Sequence, residues 1–257
     1  MFIDRQDAAR QLITPLQHLR HLQPLVLAIA RGAVPMAPTL ARALHGQWDV
    51  LLVRKISAPG FAELAVAAVD ETGWTWVSPY ADRWGADMAW IEAEKERQMA
   101  LMRKRRALYS PGGNSIGVQA RTVIVVDDGL ATGATMRAAL HGVRQRRPAR
   151  LVCAVPVAAH SALALVRPLC DELVCLQVPA AFEAVGQFYS RFDQVSDEEV
   201  IDLLGRRAAG ASHAQVQRQS LLDAGHRPAG QVQCLADLQA SQQPTVQAMH
   251  EIPQKRV

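Results

Sequence analysis

Two adjacent carboxylates, Asp127 and Asp128, precede a loop of mostly small residues, Gly129-Leu130-Ala131-Thr132-Gly133-Ala134-Thr135. Ionised carboxylates only accept hydrogen bonds, so the pair suits the donors of a sugar diol or of a metal-bound water. Glycine lets the backbone approach a ligand closely and take a positive φ. Free N–H groups at a helix start form an anion nest that the helix dipole favours. Thr132 and Thr135 add hydroxyl donors. An anion nest one loop away from a carboxylate pair points to a sugar phosphate. The plain alternative is a strand–turn–helix connection with a capping Asp, but a cap needs only one carboxylate.

These residues must be held by the elements on either side. Val123-Ile124-Val125-Val126 is a β-branched apolar run, suited to a strand buried on both faces. Met136-Arg137-Ala138-Ala139-Leu140-His141 reads as a helix start. The loop then lies at the carboxyl end of a strand, where open α/β sheets bind their ligands. Two further strand ends carry cations. Leu25–Ala30 is an unbroken apolar run followed by Arg31-Gly32-Ala33, and Asp49–Val53 is followed by Arg54-Lys55. Taken singly, each is equally a surface turn or a solvated strand terminus.

The run Val123–Thr135 resembles the phosphoribosyl pyrophosphate (PRPP) signature of the type I phosphoribosyltransferases: an apolar strand, two acids, and a loop ending Thr-Gly-Ala-Thr. It is not a Walker loop, because no Gly-Lys-Ser/Thr follows. The resemblance implies that Asp127 and Asp128 hold the ribose hydroxyls and that Gly129 and Ala131, Thr132, Gly133, Ala134 and Thr135 hold the 5′ phosphate. It also implies that Arg31 and Gly32 form the pyrophosphate loop, with Lys55 as a further cation on the same ligand. Relatives commonly carry Arg-Gly-Gly there, so Ala33 is a departure, strained if that position needs an unusual φ. Mg²⁺ is the implied cofactor, held mainly through PRPP with Asp127 and Asp128 as the available protein carboxylates.

The remaining chain reads as an α/β fold: an open, mostly parallel sheet flanked by helices, with a small hairpin and helix insertion. A helix over 4–20 is capped by Asp4 and presents Ala9, Leu12, Ile13, Leu16 and Leu19 on one face, with Pro15 as a possible kink. A second helix runs from Pro35 to near Gly46. Ser57–Gly60 reads as a turn, and Glu63–Val69 and Trp74–Val77 as a hairpin joined by Asp70-Glu71-Thr72-Gly73. A long polar helix spans 86–109, with Met88, Ile91, Met99 and Met102 as its apolar stripe. Arg103–Arg106 at its end is read as a solvated basic terminus, or else as a flap near the phosphates. A helix to Arg146, a strand at Arg150–Pro156, a helix over 160–168 and a strand at Glu172–Leu176 follow. Phe182, Phe188, Tyr189 and Phe192 gather in a chain with only 5% aromatics; they either close the core or stack on a planar acceptor. Ser196 caps a last helix to Leu204.

Composition narrows the rest. Net charge is +4, too weak to argue nucleic acid as a partner. Cys153, Cys170, Cys175 and Cys234 show no metal-ligand spacing, and Cys153 reads as a reduced core thiol. No apolar run approaches the roughly 20 residues that span a bilayer, and no signal peptide is apparent, so a cytoplasmic protein is expected. From Ala208 the last 50 residues contain ten Gln and little apolar periodicity, which implies a disordered tail over 208–257; the resemblance makes 1–207 the phosphoribosyltransferase-like domain.

From Phe2-Ile3-Asp4-Arg5 to Ser196-Asp197-Glu198-Glu199-Val200, about residues 2–205, the chain resembles bacterial phosphoribosyltransferases of unassigned acceptor. The resemblance implies transfer of the 5-phosphoribosyl group of PRPP to a nitrogenous small-molecule acceptor, with release of pyrophosphate. It also leaves room for a PRPP- or nucleotide-binding regulatory module without transfer, and for a homodimer. Enzymes acting on 6-oxopurines usually carry an Asp where this chain has Ala131, so hypoxanthine and guanine are not the expected acceptors.

Overall fold

Runs of aliphatic residues without polar interruption dictate the centre of the molecule, since a strand covered on both faces has no polar side. The computed structural model describes residues 1–110 and 115–207. The expected disordered tail over 208–257 lies outside the described residues, as do 111–114. In chain order the elements are helix α1 (Arg5–Leu16), strand β1 (Leu25–Ile29), helix α2 (Ala37–Ala43), strands β2 (Gln47–Leu51), β3 (Val53–Ala58), β4 (Phe61–Asp70) and β5 (Thr75–Val77), helix α3 (Met88–Tyr109), strand β6 (Thr122–Val126), helix α4 (Ala134–Gln145), strand β7 (Arg150–Val157), helix α5 (His160–Val166) and strand β8 (Glu172–Gln177). A last helix covers 197–207.

The five-stranded sheet is ordered β2-β1-β6-β7-β8 and is parallel throughout. Alternate residues of each central strand enter opposite cores. Val26, Ala28, Ile124 and Val126 meet α1 and α2, while Leu25, Leu27, Val123 and Val125 meet α4 and α5. From β1 the chain builds outward to β2, then returns to the other side of β1 as β6. The crevice between the carboxyl ends of β1 and β6 is therefore a topological switch point, the place where such sheets open to a ligand.

The main correction to the sequence reading concerns residues 49–58. A single strand ending at Arg54-Lys55 was expected, but the chain leaves the parallel sheet at Leu52. Val53–Ala58 begins a second, antiparallel sheet ordered β3-β4-β5. Arg54 and Lys55 thus stand within a strand rather than at its end. Only Pro59 and Gly60 form the turn, and the hairpin becomes a three-stranded sheet with a ten-residue central strand. The reason is burial. Ile56, Val66, Ala67 and Val69 join one core of the main sheet and Val53 and Ala68 the other, so the insertion is buried on both faces.

The helices depart from expectation mainly at their ends. Asp4 caps α1 by accepting from the Asp7 N–H at 2.9 Å, but the α-helix stops at Leu16, one residue after Pro15, and tightens into a 3₁₀ turn to Leu22. In α3, Asp87 is the cap, Ile91 and Met102 are buried, and Met88 is exposed. The basic end of α3 is not simply solvated. Arg106 pairs with Glu71 and donates to the Val50 carbonyl, while Arg105 pairs with Asp197; Arg103 and Lys104 are exposed. Cys153 is a free, buried thiol, as its apolar run implied. Among the described residues no helix is long and apolar enough to cross a membrane.

Candidate active site

The acid pair ends β6 at the switch point. Beyond it Leu130 bridges to Ala158 beside β7, which anchors the far side of the loop to the sheet. Gly133 then takes φ +75° and admits the chain into α4. A residue with a Cβ is strained in that conformation, so the glycine is what turns the first free N–H groups of α4 toward the crevice. Thr132 Oγ1 accepts from the Ala134 N–H at 3.4 Å. The Thr135 hydroxyl is buried and has no partner among the described residues. A buried hydroxyl without a partner costs free energy unless a ligand supplies one.

A cleft of about 680 Å³ opens over this loop. Its floor is residues 127–136, with Ala30 and Gly32 from the loop after β1. Arg54, Lys55, Ser57 and Ala58 of β3 and Trp90, Glu94 and Gln98 of α3 line it, as do Arg5, Val185 and Phe192. The three α3 residues recur every fourth position, which places them on one helix face. Gln98 accepts from Arg54 Nε at 2.8 Å and donates to Glu94 at 2.6 Å, so the polar groups of that wall are tied together.

The two acids are not equivalent. Asp128 Oδ2 accepts from Arg5 Nε at 2.9 Å and lies 2.9 Å from Nη2 in the same ion pair, and its carbonyl accepts from the Tyr189 hydroxyl at 2.7 Å. Its side chain keeps only 14% of its surface exposed. Among the described residues, Asp127 Oδ1 accepts only from the neighbouring Asp128 N–H, at 2.9 Å. Burial and the charge of Asp128 push the Asp127 carboxyl well above the usual aspartate range. Asp128 is also raised by burial, but Arg5 and, more weakly, Lys55 oppose that rise. Among the described residues, Asp128 is ion-paired with a protein cation and Asp127 is not, although the charges of Lys55 and Arg5 act on it from further off.

Gly32 faces this pair. A Cβ there would fall within 3.1 Å of Asp128 Cγ and closer still to Oδ2, so the glycine makes room for the acid rather than for an unusual backbone angle. Ala33 has φ −81° and ψ −10°, ordinary values that carry no strain, which answers the question raised by its departure from Arg-Gly-Gly. Arg31 does not line the cleft. Its guanidinium lies 3.8 Å from Asp197, a carboxylate shared with Arg105 at 3.4 Å and with the Tyr109 hydroxyl. Those donors, Tyr109 first, hold Asp197 below the ordinary aspartate value.

Of the expected site residues, Gly32, Lys55, Asp127, Asp128, Gly129, Ala131, Thr132, Gly133, Ala134 and Thr135 come together around one cleft, and Arg31 stands beside it. Sequence reasoning missed Arg5, Trp90, Glu94, Gln98 and Val185 as lining residues; it marked Arg54 beside Lys55 and left Phe192 between the core and the acceptor. Arg5 reads locally as the first residue of an amphipathic helix, and nothing near it in sequence signals a partner 123 residues away.

The sequence model described as "Phosphoribosyl transferase domain" matches residues 5–193. The chain belongs to the phosphoribosyl transferase family. It is 36% identical over 229 residues to "Putative phosphoribosyl transferase Rv0571c" of Mycobacterium tuberculosis strain H37Rv, covering 89% of this chain and 51% of that protein. The chain therefore spans about half the length of the curated relatives it matches. The crystal structure of TT1426 from Thermus thermophilus superimposes with a TM-score of 0.66 at 44% identity, covering 79% of this chain and 97% of that one. The switch-point cleft, with its acid pair and small-residue loop, is thus the candidate active site of a phosphoribosyl transferase fold.

Proposed function

We propose that this chain moves the 5-phosphoribosyl group of PRPP to the nitrogen of a small-molecule acceptor and releases pyrophosphate. The observation that carries the reading is the meeting of an acid pair, Gly32 and a phosphate-type loop in one cleft at the switch point. The α4 N-terminus and the hydroxyls of Thr132 and Thr135 receive the 5′ phosphate; the partnerless Thr135 hydroxyl gains an acceptor there. Asp127 and Asp128 accept from the ribose hydroxyls. As the bond from C1 to the pyrophosphate oxygen breaks, its electrons leave with the oxygen and positive charge grows on the ring. The two carboxylates lie where that charge develops. The acceptor nitrogen forms the new bond to C1 and then loses its proton. Gly32 through its backbone and Lys55 through its charge face the leaving group. Arg31 would join them only on parting from Asp197.

The donor set suits a magnesium ion that arrives with the ligand. Among the described residues no cluster of three or more His, Cys, Asp or Glu could hold a metal, whereas Mg²⁺ typically uses one or two carboxylates together with substrate phosphates. Asp127, the acid outside the Arg5 ion pair, would give the ion its protein oxygen, while Asp128 Oδ1 is left to the ribose hydroxyls. When bound, the ion supplies charge neutralisation of the leaving pyrophosphate.

The test is thermal melting with PRPP and Mg²⁺, followed by pyrophosphate release across a panel of nitrogenous bases. A ligand that binds only the folded state stabilises it by about 2.7 kcal/mol at a hundredfold excess over Kd. An unchanged melting temperature at saturating PRPP refutes the reading. Tight binding with no release for any base moves it to a regulatory module.

A further inference from the structure

We propose that Arg5 is a positioning residue for ribose recognition, holding Asp128 in one orientation and fastening it to the loop that carries Phe192. The inference rests on the function proposed above and adds a residue that lies outside the loops expected to hold the ligand.

Each guanidinium nitrogen of Arg5 lies against a protein oxygen. Nε donates to Asp128 Oδ2 at 2.9 Å, Nη2 forms an ion pair with the same oxygen at 2.9 Å, and Nη1 donates to the Asp193 carbonyl at 2.7 Å. The plane of the group lies over the Phe192 ring, 3.9 Å from its centroid. Phe192 packs in turn on Tyr189, whose hydroxyl donates to the Asp128 carbonyl. Asp128 is therefore gripped at its carboxylate by α1, at its backbone by the aromatic loop, and on its remaining side by the close approach of Gly32. Because both contacts with the acid fall on Oδ2, Oδ1 stays clear of Arg5 and is left for a ligand hydroxyl. Turned toward Asp128 and Asp193 in this way, Arg5 acts on the sugar through Asp128 rather than by touching it. A lysine can match the charge, but a single ammonium cannot reproduce the planar pairing with Asp128 together with the bond to Asp193.

The distinction between positioning and plain structural support lies in which ligand is affected. The sugar meets Asp128; pyrophosphate alone does not. Calorimetric titration of the full chain with PRPP and with pyrophosphate, both with Mg²⁺, should show Arg5→Gln weakening PRPP about tenfold while pyrophosphate affinity is unchanged. Arg5→Lys should recover part of the loss, and it carries the test if Arg5→Gln does not fold. Adding Arg5→Gln to Asp128→Asn should cost little beyond the single Asp128 change, because residues that act as one unit are not additive. Equal PRPP affinity in wild type and Arg5→Gln overturns the inference. So do equal losses for both ligands, or losses that add with Asp128→Asn. A wild type blind to PRPP instead overturns the functional reading itself, and this inference with it.

Discussion

Gly32→Ala tests the packing of the site most directly. The new Cβ would come within 3.1 Å of Asp128 Cγ and nearer to Oδ2, so one of them must move. A free side-chain end could swing away at little cost. This one is held by the Arg5 Nε–H bond, by the ion pair with the same guanidinium and by the Tyr189 bond to its own carbonyl. Overpacking of this kind typically costs about 1–3 kcal/mol. If the carboxylate yields instead, it loses charge-assisted bonds, each in the range of about 1.5–3 kcal/mol. Either route predicts destabilisation by roughly 1–3 kcal/mol, with each kcal/mol lowering Tm by about 2–4 °C in a domain of this size. PRPP affinity should fall with it, since Asp128 no longer presents Oδ1 as before. The assay is urea denaturation with PRPP titration, run in wild type, Gly32→Ala, Asp128→Gly and the double variant. In the double variant the steric penalty should vanish, because Asp128→Gly empties the space that the methyl needs. A Gly32→Ala protein as stable as wild type, or a penalty that persists without the Asp128 side chain, refutes the packing argument.

The acids should separate in opposite directions. Asp127 is raised well above its ordinary value of 3.8, so its contribution to stability is complete below 3.8 and is lost as pH rises through the higher folded value. Asp127→Asn should therefore stabilise the ligand-free protein at neutral pH, with an advantage that shrinks in acid. Asp128 is raised in the same direction, but Asp128→Asn strands the mostly buried Arg5 guanidinium without its carboxylate and should destabilise the protein, and both changes should abolish most transfer. Denaturation across pH, with pyrophosphate release, checks all three; an Asp127→Asn protein less stable than wild type at neutral pH contradicts the assignment of charge. With Ala131 in place of the acid usual for 6-oxopurines, hypoxanthine and guanine should support little pyrophosphate release. Robust turnover with either, abolished by Asp128→Asn, refutes this. A chain ending at residue 207 keeps Arg207 on the buried Asp49 at 2.8 Å and is expected to melt and bind PRPP as the full chain does. An insoluble or PRPP-blind truncation would show that 208–257 is required.

Contiguous features were legible in the sequence. The β6–loop–α4 unit could be read because its strand burial, turn glycine and hydroxyls all follow from neighbours within about a dozen residues, and the parallel sheet follows from strands that have no polar face. The polarity of the acid pair was equally local. What each acid meets was decided only by the tertiary structure. Arg5 reaches Asp128 across 123 residues, and Gly32 is required by an atom of that same acid rather than by its own backbone angle. Arg31 looked like a free cation at a strand end, yet it faces Asp197 from the last helix. Val53–Ala58 continued the pattern of β2 so smoothly that its departure into a second sheet left no local mark except the apolar run of β4 that pairs with it. Hydrogen bonds and ion pairs are satisfied by whichever groups folding brings within about 3 Å, and sequence spacing carries that information only for near neighbours.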